Sequence, residues 1–263
     1  MRSTKLCISL VTLCAFGSTS SVLAEEWEYS LSAGVANMPR YSGSDERFTT
    51  PVLAGEVISP WGVFLNTEQG LGWRHDWDKA SISAYVGPSD KRKDKRSSTH
   101  AGSSRLKGMG EIKSRAQFGI SGNYDLGPVI LGATLEHALE EDDDDDAGKA
   151  YTSLELSLGT NLYVGQYGSF DLGFSSLFGD KHYMQTWYGV TTGQASRSRF
   201  QAYDAKGGLV STGMNLTWAV PLGEHTTFTT LLDVQYLSKE AADSPIVERR
   251  LQSAVVGMLD YTF

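Results

Sequence analysis

Side chains able to do chemistry are few and scattered. The five histidines, His75, His100, His137, His182 and His225, fall in different segments. His182, beside Tyr183, lies in the longest link with Ser196 and Ser198 nearby. A serine hydrolase needs serine, histidine and an acid as an ordered set, and acid–histidine proteases need equally fixed partners. No G-x-S-x-G, H-E-x-x-H or phosphate-binding glycine loop occurs. His137 lies on an apolar face, where packing or an interfacial position explains it better than proton transfer. The sequence therefore assigns no catalytic, cofactor-binding or metal-ligating residue and reads as a non-enzyme.

Two charge runs stand out. One is Lys91-Arg92-Lys93-Asp94-Lys95-Arg96; the other is Glu140-Glu141 continued by aspartates at 142–146. Solvated loop tips explain both. A sharper reading is that they neutralise each other, or meet lipopolysaccharide phosphates and their bridging cations. The acidic run lacks the spaced ligands and glycine of an EF-hand loop, so calcium there would be held weakly.

The elements that position these residues follow from the rest of the chain. Residues 1–24 have the three parts of a secretory leader: Arg2 and Lys5, an apolar stretch from Leu6 to Phe16, and small residues ending Val22-Leu23-Ala24. The apolar stretch is short for a membrane span, and Cys14 follows Leu13, where a lipobox needs a small residue. Cleavage after Ala24 removes both cysteines, Cys7 and Cys14, leaving no thiol chemistry, and moves the formal charge from −8 to −10. That acidic balance excludes a nucleic-acid face. The domain is then 25–263.

This remainder alternates with period two. From Val210 the even positions read Val210, Thr212, Met214, Leu216, Trp218, Val220 and Leu222, against Ser211, Gly213, Asn215, Thr217 and Ala219. Thr152 to Val164, Trp27 to Val35 and Leu251 to Phe263 behave the same way, and helical spacing is not sustained anywhere. Twelve strands are expected near 26–36, 47–58, 61–66, 69–77, 79–87, 112–123, 127–140, 149–164, 167–177, 206–222, 225–238 and 249–263. Ten are expected instead if 61–77 is a poorly paired hairpin at the rim. Links between strands alternate short and long, and aromatics gather at strand ends. Both are marks of an antiparallel transmembrane β-barrel of the bacterial outer membrane. A soluble β-sandwich accounts less well for strands this long.

An even strand count puts both termini in the periplasm. Phe263, closing a strand with Leu259 and Tyr261 at two-residue spacing, resembles the signal read by the barrel insertion machinery. The polar strand faces carry Arg74, Lys113 and Arg115 together with Glu28, Glu136, Glu155, Asp171, Asp233 and Asp260. Buried charges must be paired or wet, so the lumen is expected to hold a salt-bridged network, with a water-filled pore as the alternative.

Five local strings then occur in order: Arg40-Tyr41-Ser42-Gly43-Ser44-Asp45, Leu106-Lys107-Gly108-Met109-Gly110-Glu111-Ile112, Tyr183-Met184 with Tyr188-Gly189-Val190, Asp243-Ser244-Pro245-Ile246-Val247, and Tyr261-Thr262-Phe263. The set resembles the MltA-interacting protein family (the MipA/OmpV outer-membrane proteins), with Lys107, Met109 and Glu111 as variants of its pattern. The resemblance implies an outer-membrane barrel in contact with lipid and lipopolysaccharide. It also implies a scaffold role, linking a murein lytic transglycosylase to a murein synthase. A channel for small solutes, or a surface adhesin or envelope-stress protein, stands as the alternative. Serine, aspartate, glycine and proline also give these strings turn chemistry, so they read as loop-shaping as readily as ligand-binding.

Overall fold

A computed structural model describes residues 26–97, 101–140 and 148–263. The expected leader at 1–24, His100 and the aspartates at 142–146 lie outside these residues. Twelve strands close into one antiparallel barrel. They are β1 (Glu28–Pro39), β2 (Arg47–Ile58), β3 (Val63–Asn66), β4 (Gly70–Asp76), β5 (Ala80–Pro88), β6 (Ala116–Asp125), β7 (Ile130–Ala138), β8 (Tyr151–Gly165), β9 (Gly168–Gly179), β10 (Gly208–Pro221), β11 (Thr226–Leu237) and β12 (Leu251–Thr262). Each strand pairs with its neighbour in sequence, and β1 closes on β12 from Ser30↔Thr262 to Asn37↔Val255. Every expected strand forms. The ten-strand alternative fails, because β3 and β4 are paired members of the wall.

Alternation works because one face meets hydrocarbon and the other meets the lumen. Leu31, Val35, Ile120, Leu135, Leu156, Leu232 and Leu259 face outward and exposed. Trp27, Trp61, Trp73, Trp77, Tyr163, Tyr167, Trp218 and Tyr261 gather toward the short-turn end as an aromatic girdle. This apolar exterior around a polar interior makes the protein a transmembrane β-barrel of the outer-membrane type.

Two β-bulges break the phase. The β9–β10 register shifts between Leu209 and Ser211. Val210 therefore leaves the outward row expected of it and is buried against Met184, Tyr188 and Leu237. A second shift, between Asn161 and Tyr163, does the same to the end of β8. One extra residue displaces all that follows to the other face.

The long links are not unstructured. They carry a 3-10 turn (Ser104–Leu106) and three helices, α1 (Lys181–Tyr188), α2 (Thr192–Arg197) and α3 (Lys239–Ala242). At eight, six and four residues they are too short to show a helical period, which is why alternation hid them. Their caps are nevertheless written in the chain. Asp180 accepts from the Tyr183 amide at 2.7 Å, Thr191 and Gln194 form a capping box, and Ser238 accepts from Ala241 at 3.2 Å.

The wall has one low place. β3 is four residues long, about 13 Å at ~3.3 Å per residue, roughly half of the ~25 Å apolar band. Asn66 ends it by accepting from the Glu68 and Gln69 amides. Gly55 is the last β2 residue served on that side: its carbonyl accepts from the Thr67 amide at 3.1 Å and its amide donates to the Thr67 hydroxyl at 3.3 Å. Leu53, Pro51 and Thr49 turn their backbone groups the same way, beyond the reach of β3. Leu53 is accordingly 76% exposed. Proline on an open edge removes a donor that another strand could use. Pro51→Thr restores that donor and is expected to run as a larger, strand-paired species than the parent on unboiled detergent gels; identical migration of the two contradicts this role of Pro51.

Candidate functional site

The long-loop end is closed by a folded cap with two hydrophobic centres. Tyr41, Leu106, Met109, Val190, Phe200 and Ile246 pack in one. Met184, Tyr188, Ala205, Val210, Leu237 and Ala241 pack in the other, which sits on the ends of β10 and β11. Four of the five sequence strings thus meet in space. The Tyr41 hydroxyl donates to the Ile246 carbonyl at 3.0 Å, and Ser42 and Tyr188 share a hydroxyl–hydroxyl bond at 2.7 Å. The Ser244 hydroxyl donates to the Tyr188 carbonyl. Gly43 sits at φ +97°, and a side chain there would strike Val247, so this turn needs glycine.

Arginines fasten the cap. Arg105 pairs with Asp45, Glu46 and Glu248. Arg115 donates to the Gly148 and Lys149 carbonyls at 2.9 and 2.8 Å. From the basic run, Lys95 meets Glu111 at 2.9 Å, but Arg92 is not a solvated tip: it is 3% exposed and donates to the Trp187 carbonyl at 2.7 Å. Alternating charges hide which member of a run turns inward.

Beneath the cap lies a chamber of about 110 Å³. Its wall side is made by Leu177, Ser211, Asp233, Gln235, Gln252 and Ala254; its cap side by Tyr41, Ser42, Arg92, Tyr183, Trp187 and Tyr188. Neighbouring luminal groups at this level, Thr50, Ser153 and Ser211, are buried. Toward the short-turn end, Ser32, Ser83, Asn123, Ser157 and Asp171 regain exposure. The described cap residues thus cover one end of the lumen, and the luminal groups toward the short turns are half-exposed.

The expected salt-bridged lumen is not what forms. Inward-facing strand positions carry Glu28, Glu56, Asp76, Asp125, Glu136, Glu155, Asp171, Asp233 and Asp260, with Arg74 as the one base among the described inward positions. Arg74 lies 3.9 Å from both Glu28 and Asp76 at the short-turn end. Lys113 and Arg115 precede β6 and belong to the cap end, because that strand begins at Ala116. The acids are held by neutral donors instead: Tyr85 donates to Glu136 at 2.7 Å, Asn161 to Asp171 at 2.7 Å, and Thr229 to Asp260 at 2.7 Å.

The described histidines remain apart. His75 faces lipid between Trp73 and Trp77, His137 bonds Thr152 on the outer face at 3.0 Å, and His225 lies beside Tyr261. His182 is exposed on α1, while the Ser196 hydroxyl donates to Gly193 at 2.8 Å and the Ser198 hydroxyl accepts from the Phe200 amide.

A sequence profile described as "MltA-interacting protein MipA" matches residues 31–263, nearly the whole barrel and cap. The chain belongs to this MltA-interacting protein family. A search of curated proteins gave no match. Among solved structures, the NanC porin aligns at 9% identity over 89% of this chain and 98% of its own, with a TM-score of 0.44. Neisserial surface protein A aligns at 8% over 90% and 97%, at 0.28, and OmpT of Vibrio cholerae at 8% over 90% and 98%, at 0.40.

The family strings therefore build the cap, and the cap can be tested. Ile246→Ala is expected to cost about 2–5 kcal/mol locally. Limited proteolysis should then cut the long loops while the strands survive; an uncut cap contradicts its dependence on this core. Burial pushes Tyr41, Tyr188 and Tyr203 up to about 12 and Tyr183 well above its ordinary value. Raised folded values make this stabilisation complete below pH ~10 and lost as pH climbs toward ~12. Tyrosinate absorbance should show these four ionising after the exposed tyrosines, together with loss of the cap; one uniform step near pH 10 contradicts the burial.

Proposed function

We propose that this family member is a non-enzymatic outer-membrane barrel that admits small cationic solutes into a lumen narrowed by its cap. The observation that carries this reading is the inner wall, with nine carboxylates against Arg74. Paired acids and bases would cancel; a one-signed wall raises the local concentration of cations. In this reading the leader is removed after Ala24, Phe263 presents the last strand to the insertion machinery, the cap faces the exterior with lipopolysaccharide around its rim, and the short turns and both termini face the periplasm. The scattered, separately engaged histidines and serines support the non-enzymatic assignment.

A second reading rests on the family's description: a scaffold bringing a murein lytic transglycosylase to a murein synthase. The surface available at the short-turn end is small. It consists of the links 59–62, 77–79, 126–129, 166–167 and 222–225, less than a standard interface needs. A partner would have to seat on the aromatic rim around Trp61 and Phe263, both well exposed. Mild solubilisation and pull-down test this; recovery of neither murein enzyme counts against the scaffold.

Planar-bilayer recording tests the first reading. Under a salt gradient the reversal potential should show cation preference, and Ile246→Ala, by loosening the cap, should raise the conductance. Anion preference, or a silent bilayer with both proteins, overturns it.

A further inference from the structure

We infer that the chamber beneath the cap is a binding site for a small primary ammonium ion. The inference rests on the cation-admitting reading above and adds a site and a ligand class to it. One acceptor facing the chamber, the Gln252 oxygen, has no donor, and a second, the Asp233 carboxylate, is met by the neutral Gln235 side chain and no cation. Asp233 is 7% exposed, stands beside Gln235, and forms no ion pair among the described residues. Gln252 is 8% exposed; its amide nitrogen is spent on the Arg249 carbonyl at 2.5 Å, and its oxygen is buried with no hydrogen-bond partner. A buried acceptor left unmade is costly, which makes this oxygen the independent sign of a missing donor.

A primary ammonium brings three N–H donors and a positive charge, enough for the Asp233 carboxylate and the Gln252 oxygen together. The opposite side is aromatic, with Trp187 and Tyr188 in the lining, and rings of this kind favour an alkylammonium. Arg92 also lines the chamber, but Asp90 lines it too, so with Asp233 the formal balance is one negative charge. The volume of 110 Å³ is somewhat below the ~150 Å³ cavity that holds a benzene. A chain of about four to six heavy atoms fits. Diffusible amines of that size qualify, whereas a lipid headgroup could reach the chamber only with its acyl chains left outside.

The test uses the folded full-length protein in detergent, with propylammonium as probe, propanol as its uncharged counterpart and tetramethylammonium as a cation without N–H donors. Calorimetry or saturation-transfer NMR should detect propylammonium and neither control. Asp233→Asn should weaken binding at least tenfold, and Gln252→Met, which keeps the bulk and removes the acceptor, several-fold. Unboiled gels establish that each variant is folded, and the Gln252 variant stands alone if the Asp233 variant is not. Equal binding of propanol, equal binding of tetramethylammonium, no binding of propylammonium, or unchanged affinity in a folded variant overturns the site. Cation-selective conductance with no propylammonium binding defeats the site and spares the pathway; binding in a barrel that does not conduct defeats the pathway and spares the site.

Discussion

Backbone hydrogen bonding across the β1–β12 seam governs every other element. In hydrocarbon an unpaired amide or carbonyl has no water to turn to, so a sheet that enters the bilayer must end on itself. The seam runs through eight residue pairs. Once it is closed, side-chain direction is settled for the whole wall, since alternate residues must face lipid or lumen. The one stretch of wall that escapes this rule, the upper part of β2 above the short β3, carries Pro51, the residue least able to recruit a foreign strand.

Closure also explains the interior. A twelve-strand wall has a lumen wide enough to need filling or wetting, and this chain uses two solutions at its two ends. At the cap end the long links fold into a small hydrophobic assembly of their own, tied down by Arg105 and Arg115. Toward the short turns the wall carries carboxylates held by hydroxyls and amides, with access to water. A one-signed interior is tolerable where water or a mobile cation screens it. At the boundary between the two regions the Gln252 oxygen is left without a donor.

Much of this was legible in the sequence, and what was not has a physical reason. Period-two alternation located all twelve strands, because the hydrophobic pattern of a barrel is set residue by residue by lipid. The short β3–β4 pair raised the ten-strand alternative, since four residues carry little pattern. The bulges at Val210 and Leu162 were invisible because an inserted residue leaves composition unchanged. Helices α1 to α3 were missed because they are shorter than the period that would reveal them, although Asp180, Thr191 and Ser238 stand at their starts. The cap strings were read as turn chemistry, correctly for Gly43; that Tyr41, Leu106, Val190 and Ile246 share one core depends on contacts between four separate links. The lumen was misjudged for a related reason. Alternation alone sets Lys113 and Arg115 against the acids, but the start of β6 at Ala116 puts both outside the wall.

Amide exchange of the folded protein in lipid nanodiscs tests the central claim, closure of the sheet on itself, most directly. The claim predicts that peptides spanning 28–39 and 251–262 hold their deuterium protection as long as those of β8 and β9, the interior of the same sheet. Rapid exchange confined to those two strands would mean an open edge, and would contradict the closed barrel.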